Sequence, residues 1–286
     1  MRRTATVGAI EPLDAPRAVN LRNWESRVAI HAASSVYDLA GLASDPNALS
    51  RVAAFDVVAL GELRDVDGVH LQCHIGTDTV SLARAGARMS GVDFSPQALS
   101  VARDLAASCG VDVRFVESEL FSVPQVLGRD FDLVYTGVGA LCWLPDIAGW
   151  ARVVAGLLRP GGRLYVRDAH PMLNAIDDAS DDDVLRVTLP YFEGVPQRWA
   201  ADQTYTDGPP LESPETYEWN HGLGEIVQAV IDAGLTVTAL REHRECEWQA
   251  LSHMEQGADG RYRLAVDPER LPLMFTLEAM APSDGP

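Results

Sequence analysis

Between Val69 and Asp168, short apolar runs alternate with helical segments, and this alternation limits the fold more than any other feature of the chain. Runs joined through helices do not close as hairpins. Each crosses over to a parallel neighbour, which gives a sheet covered on both faces. Strands are expected at Val69–Cys73, at Arg88–Asp93, in VDVRFVE (111–117), in FDLVYTG (131–137) and in RLYVRD (163–168). Helices are expected over Thr77–Arg84, in SPQALSVARDLAASCG (95–110) and in DIAGWARVVAGLL (146–158). The middle one carries its own punctuation: Ser95 as N-cap, Pro96 at the first helical position and Gly110 just past the end.

The flanks read differently. The first twenty residues are rich in proline and small side chains and read as loose. A helix is expected from Asn20, with Trp24, Arg27 and His31 at i, i+3 and i+7 on one face. That face either looks onto a ligand or packs its Trp and exposes the other two. After Asp168 the alternation stops. Residues 171–220 are acidic, proline-rich and aromatic, which reads as an inserted cap with Asp181–Asp183 in a solvated loop. Its aromatics, Tyr191, Phe192, Trp199, Tyr205, Tyr217 and Trp219, are shared between a pocket wall and the cap's own core. A helix resumes in GLGEIVQAVIDAGL (222–235), and TVTALREHRECEWQ (236–249) and LPLMFTLEA (271–279) read as two closing, antiparallel strands. The expected organisation is a lid over 1–60, a core over 61–170, a cap over 171–220 and a return to the core sheet over 221–286.

Composition removes several function classes. A net charge of −18 disfavours a nucleic-acid groove or an anionic membrane as partner. All 23 basic residues are arginine, so the lysine of a Schiff base and the lysine of a P-loop are both missing. The HExxH and GxSxG patterns are absent as well. Four scattered cysteines (73, 109, 142, 246) form no CxxC pair, which argues for no zinc site and for a reducing, cytoplasmic setting. No apolar run reaches about 18 residues, and the opening MRRTATVGAIEPLDAP suits neither a signal nor a transit peptide.

The chemistry concentrates in the turn after the first core strand. Ligands of an open parallel sheet sit beyond the carboxyl ends of its strands, and the helix that follows offers unpaired N–H groups there. Gly76 permits close backbone approach. Asp93 closes the second strand about twenty residues from the start of this unit, where an acid accepts from ribose hydroxyls. A carboxylate only accepts, so it suits a free diol and repels a phosphate. Capping of the Ser95 helix is the alternative role for Asp93.

Taken together, LQCHIG (71–76), GVDFSP (91–96), FVESEL (115–120), FDLVYTG (131–137) and LLRPGGRLYV (157–166) resemble, in order and spacing, the class I S-adenosylmethionine (SAM)-dependent methyltransferases. NWESRVAIHAASSVYDL (23–39) resembles the N-terminal segment of a bacterial subgroup with an LQCHxGxDT turn. The resemblance implies an α/β, Rossmann-like, mostly parallel seven-stranded sheet with helices on both faces and an antiparallel last strand. A helical lid and an inserted cap complete it. It departs from the family pattern D-x-G-x-G-x-G, for this chain reads His70-Leu71-Gln72-Cys73-His74-Ile75-Gly76 and keeps only the last glycine.

By the same resemblance, SAM would meet Gln72, Cys73, His74, Gly76 and Thr77 of the turn, with Gln72 and His74 offering side-chain hydrogen bonds to its amino-acid tail. Asp93, Phe94 and Ser95 would take the sugar side. Glu119 and Leu120 would take the adenine, Glu117 being the competing register. Thr136 and Gly137 would face the methionine part, and Trp24 and Tyr37 would close over it. The expected activity is methylation of a small aromatic or heteroaromatic secondary metabolite at oxygen, nitrogen or carbon, by in-line displacement without metal. A histidine near neutrality is the expected base: His221 where the cap rejoins the core, His170 after the last core strand, or His31 on the lid helix. The alternatives are a SAM-binding protein without methyl transfer, a regulator or cyclase-like enzyme. An NAD(P)-dependent oxidoreductase is also considered, on the GxG of YTGVGALCW (135–143), which lacks a third glycine. The partner is a small-molecule acceptor and the state a monomer or homodimer.

Overall fold

A computed structural model describes residues 4–6, 14–128, 130–176 and 184–283. The first half of the chain forms β1 (Thr4–Thr6), α1 (Asp14–Ala33), α2 (Leu39–Ser44), α3 (Arg51–Leu60), β2 (Asp67–Leu71), α4 (Thr77–Arg84), β3 (Arg88–Asp93), α5 (Pro96–Cys109), β4 (Arg114–Glu117), α6 (Val123–Leu127) and β5 (Phe131–Thr136). The second half forms α7 (Ile147–Leu157), β6 (Leu158–Ala169), α8 (Pro171–Asn174), β7 (Gln197–Ala200), β8 (Glu215–Glu218), α9 (Leu223–Asp232), β9 (Thr236–His243), β10 (Met254–Gln256), β11 (Tyr262–Leu264) and β12 (Met274–Met280). Asp181–Asp183 and most of the stretch before Asp14 lie outside the described residues.

Seven strands make the main sheet, in the order β4-β3-β2-β5-β6-β12-β9. β2 pairs in parallel with both β3 and β5, while β12 runs antiparallel to β6 and to β9. The reversal has a simple cause: β9 and β12 are joined without a crossover helix, so their chain directions must oppose. The connection is longer than a turn. Residues 244–273 leave the sheet, form the hairpin β10–β11 and build a satellite core around Cys246, Leu251, Met254, Leu264 and Leu271. Apolar residues spaced along this stretch did not read as strands, because each run is only three residues long.

On one sheet face Val69, Leu71, Val134 and Val166 pack under Trp150 and Val154 of α7 and Ile226 and Val230 of α9. On the other, Met89, Leu133, Tyr135 and Tyr165 meet Leu60 of α3 and Leu82 of α4, and Phe115 meets Val80, Leu99 and Ala102. Burying each such side chain stabilises the fold by about 1.5–3 kcal/mol, so strand and helix order are set by which faces must be covered. α3 therefore belongs to the layer on the sheet. The expected boundary at residue 60 between lid and core falls inside this packing, because VAAFDVVAL (52–60) carries its apolar residues into the core.

Chain order reverses between β2 and β5. From β2 the chain runs outward through β3 and β4, and from β5 it runs outward the other way through β6. The carboxyl ends of these two central strands lie side by side, Leu71 opposite Thr136. Such a switch point leaves a crevice. α1 crosses above it and is tied to the cap. Asn20 exchanges two hydrogen bonds with the backbone of Tyr217, each 2.8 Å, and Asn23 donates to the Ser213 carbonyl at 2.6 Å. β1 pairs with β7, and β7 with β8, so the chain's beginning also joins the cap.

Candidate functional site

The turn after β2 retains a glycine-type backbone without the glycines. Gln72 has φ 58°, His74 φ 49° and Gly76 φ 77°. Left-handed backbone costs a non-glycine residue roughly 1–2 kcal/mol, and two of these three positions carry large side chains. The shape is held by Cys73 N–H donating to Val92 O (2.9 Å), Gly76 N–H to Cys73 O (2.9 Å) and His74 N–H to Asp93 Oδ2 (2.7 Å). At Gly76 a Cβ would lie 2.7 Å from Ala102 Cβ and 3.1 Å from the Phe115 ring. Gly76→Ala is expected to lower stability by about 2 kcal/mol, read as a lower urea midpoint; an unchanged midpoint would contradict the close packing.

Asp93 sits under the turn. Oδ2 accepts from His74 N–H, and Oδ1 accepts from Ser95 N–H at 2.9 Å. Burial pushes this carboxyl up to about 6, against the backbone N–H bonds that hold it down. Ser95 caps α5 through Ala98 N–H and donates to Glu25 of α1, fastening the lid. Both roles weighed for Asp93 thus meet in one place. Phe94 beside it is half-buried.

Gln72 donates through Nε2 to the Ala140 carbonyl (3.1 Å), while its Oε1 is buried with no partner among the described residues. Thr136 Oγ1, at the end of β5, is likewise buried and unpartnered. Two orphaned polar atoms at one crevice are costly unless a ligand completes them. Cys73 packs instead against Phe115 and Gly91 under the turn, and burial raises its thiol well above the ordinary value. Thr77 is buried at the first position of α4.

The lid supplies aromatic walls. Trp24 lies edge-on to His74 (4.9 Å) and to Trp143 (5.2 Å), and the Arg27 guanidinium stands over both indoles. His31 Nδ1 meets His74 Nε2 at 2.8 Å, and His31 Nε2 meets Thr204 Oγ1 at 2.7 Å, so lid, turn and cap share one chain of hydrogen bonds. Burial and the nearby Arg27 charge lower His31 to about 2 and His74 to about 3. Both rings are neutral at physiological pH and pass hydrogen bonds without charge. Tyr37 bonds to Tyr205 of the cap through the two hydroxyls.

The other predicted residues separate. Glu119 accepts from Phe121 N–H (2.9 Å) and pairs with Arg17 at 3.6 Å beside buried Leu120, whereas Glu117 is exposed. A cleft of about 460 Å³ flanks this acid, lined by Arg17, Phe121 and Asp146, and takes no residue from the turn. His221 is occupied at both nitrogens, Nδ1 with Glu193 (2.7 Å) and Nε2 with the Leu144 carbonyl (2.9 Å), so it fastens the cap to the loop before α7. His170 caps α8, accepting from Met172 N–H at 3.0 Å, and its Nε2 lies 2.9 Å from Glu242. Of the three histidines, His31 is the one that touches the turn. In the cap, Trp199, Tyr217 and Trp219 are buried as packing, while Tyr205 reaches the site.

Two residues beside the turn escaped the sequence reading, Trp143 and Thr204; neither had a signal, since only the folded chain brings them there. Among the described residues no cluster of three metal-ligating side chains exists, and no helix is long and apolar enough to cross a membrane.

Known proteins resemble this chain in its sheet domain. A methyltransferase-domain model matches residues 69–164. The ubiquinone biosynthesis O-methyltransferase of Serratia proteamaculans is 32% identical over 105 residues, which are 37% of this chain and 43% of that protein. The chain thus spans less than half the length of this relative. A SAM-dependent methyltransferase from Mesorhizobium loti superposes with a TM-score of 0.56 at 20% identity, over 80% of this chain and 98% of its own. DhpI, in a complex with S-adenosylhomocysteine (SAH), reaches the same TM-score at 15% identity over 96% and 100%. Residues 69–164 thus match the methyltransferase-domain family, and the chain has the fold of the SAM-dependent methyltransferases on which it superposes.

Proposed function

We propose that this chain binds SAM at the turn after β2 and transfers its methyl group to a small acceptor held under the lid and cap. The observation that carries the reading is the joint geometry of Gln72, His74 and Gly76, whose left-handed backbone is pinned onto Asp93. The residues fit the group. Asp93 is an acceptor-only carboxylate, suited to a ribose diol, and Gln72 Oε1 and Thr136 Oγ1 have no partner among the described residues. Arg27 supplies positive charge beside the turn, suited to a carboxylate tail. When bound, SAM supplies an electrophilic methyl on a sulfonium. The protein's part is alignment of the acceptor and exclusion of water.

The matched domain stops short of the lid and cap, so the acceptor is read from this chain's own residues. Trp24, Tyr37, Trp143 and Tyr205 favour a planar, aromatic or heteroaromatic molecule of the secondary-metabolite kind. The relative named above is an O-methyltransferase by name, and oxygen is the acceptor atom to test first. His31, bonded through both nitrogens to His74 and Thr204 and lowered to about 2 by burial, holds lid, turn and cap together and is no base near neutrality. Calorimetry with SAM, SAH and NAD is expected to show binding of the first two alone. Binding of NAD instead would overturn the reading. Incubation of a metabolite extract with methyl-labelled SAM should then place label on a small product; SAM binding with no labelled product would leave a binding protein.

A further inference from the structure

We propose that Asp168 is a positioning residue of this site: its carboxylate shapes the loop after β5 so that the Ala140 carbonyl holds Gln72 Nε2, which leaves Gln72 Oε1 to accept an N–H of the ammonium of SAM or SAH. The inference rests on the methyltransferase reading for the identity of the ligand. It adds which end of the amino-acid tail Gln72 reads, and what holds Gln72 in that orientation.

Asp168 is buried near the end of β6. Oδ1 accepts from Gly139 N–H at 2.5 Å and from its neighbour Ala169 N–H at 2.7 Å. Oδ2 accepts from Ala140 N–H at 3.1 Å and from Leu141 N–H at 2.8 Å. Burial pushes the carboxyl upward, and these four bonds pull it back. Three consecutive N–H groups of one loop thus converge on a side chain from another strand. They stand at the start of the 3-10 turn Leu141–Trp143, and the first N–H groups of such a turn have no partner within it. The loop is also tied to the cap, Cys142 O accepting from Trp219 N–H at 2.8 Å.

Ala140 links this loop to the turn after β2. Its N–H is held by Asp168, and its carbonyl accepts from Gln72 Nε2 at 3.1 Å and from Trp143 N–H at 3.3 Å. A carbonyl only accepts, so the Gln72 amide has one orientation, with Nε2 toward Ala140 and Oε1 away from it. That oxygen is buried without a partner among the described residues, and so is Thr136 Oγ1. Thr136 stands opposite Leu71, the residue before Gln72, at the carboxyl ends of two paired strands. Two oxygens without donors suit an ammonium, which carries three N–H groups and no acceptor. A carboxylate would meet Oε1 as one acceptor facing another. Its place is beside Arg27, whose guanidinium stands over Trp24 and Trp143 and whose charge lowers His74. The tail therefore lies with its carboxylate toward the lid and its ammonium toward the ends of β2 and β5.

Calorimetry on the full-length protein tests this with two compounds, SAH and the analogue of SAH that has hydrogen in place of the α-amino group. The parent protein is expected to prefer SAH about tenfold or more, the size of one hydrogen bond to a charged group. Asp168→Asn turns one accepting oxygen into an N–H donor that faces two N–H groups, so Ala140 shifts and Gln72 shifts with it. The variant should weaken SAH about tenfold and the analogue less than about twofold, a contrast that general loosening of the loop would not produce. Gln72→Leu should abolish the preference for SAH, and adding Asp168→Asn to it should leave the ratio of the two affinities unchanged. Equal weakening of both compounds by Asp168→Asn would make the carboxylate a structural support alone and overturn the proposal. A Gln72→Leu protein that keeps the parent's preference would overturn it as well. Should Asp168→Asn fail to fold, Asp168→Glu, which keeps the charge but displaces it by one methylene, is read against the same two compounds with the same expected contrast. A parent protein that binds neither compound would overturn the methyltransferase reading and this inference together, whereas binding of both without preference overturns this inference alone.

Discussion

Asp93→Ala is expected to weaken SAM binding at least 100-fold, measured by calorimetry near neutral pH. Two losses combine. The sugar loses its carboxylate acceptor, and the turn loses the anchor that holds His74 N–H at 2.7 Å and Ser95 N–H at 2.9 Å. Hydrogen bonds to a charged group contribute about 1.5–3 kcal/mol each, and every 1.4 kcal/mol is about tenfold in affinity. The same carboxyl predicts a pH dependence. It is held up to about 6 by burial, and the ionised form is the better acceptor for a diol. SAM affinity of the parent protein should therefore fall as pH drops through about 6, and this slope should vanish in the alanine variant. Affinity unchanged by the substitution would remove Asp93 from the ribose position, and with it the register on which Gln72, His74 and Gly76 are assigned.

The largest effect on stability should come from Asp56→Ala, about 3–5 kcal/mol by urea denaturation, the range for stripping one partner from a buried ion pair. Asp56 is wholly inaccessible. It accepts from Tyr135 Oη (2.5 Å), Tyr165 Oη (2.8 Å) and Arg167 Nε (2.5 Å). Arg167 is itself 2% exposed on its side chain and keeps Glu247 at 2.6 Å. Removing Asp56 thus takes the carboxylate away from two phenols and from Arg167 Nε in the buried interior. Asp56→Asn, which keeps one carbonyl, should cost less than alanine. A loss under about 1 kcal/mol would mean that water or a shifted Glu247 replaces the carboxylate, and that the layer between α3 and the sheet is looser than its packing implies. The pair spans 111 residues of chain, which is why α3 is bound to the sheet rather than to the lid.

How much of this was legible beforehand depends on range. Ser95, Pro96 and Gly110 announce α5 because capping is a matter of neighbours, and all three occupy the expected cap positions. The short apolar runs announce the parallel strands, since a strand buried on both faces has little freedom in composition. The hairpin β10–β11 stayed hidden, for three-residue strands have no period to detect. The position of Gly76 in the turn before α4 and of Asp93 at the end of β3 was legible from spacing. The meeting of His31, His74 and Thr204 was not, because it joins positions 43 and 173 residues apart. Nor did the sequence disclose that His221 joins Glu193 of the cap to Leu144, or that His170 caps α8 and faces Glu242, since a histidine's partners come from whichever elements pack against it.

From the sequence alone followed the alternation of strands and helices from β2 to β6, the parallel sheet, the place of the turn and the acid that closes β3. These depend on periodicity, caps and spacing, which act over a few residues or through a pattern repeated along the chain. Only the tertiary structure decided what the turn faces: the lid's Trp24 and His31, and through them the cap's Thr204 and Tyr205. Side chains far apart in the chain become neighbours by burying surface that no local rule assigns to them, and a polar atom's role is set by the partner it finds there.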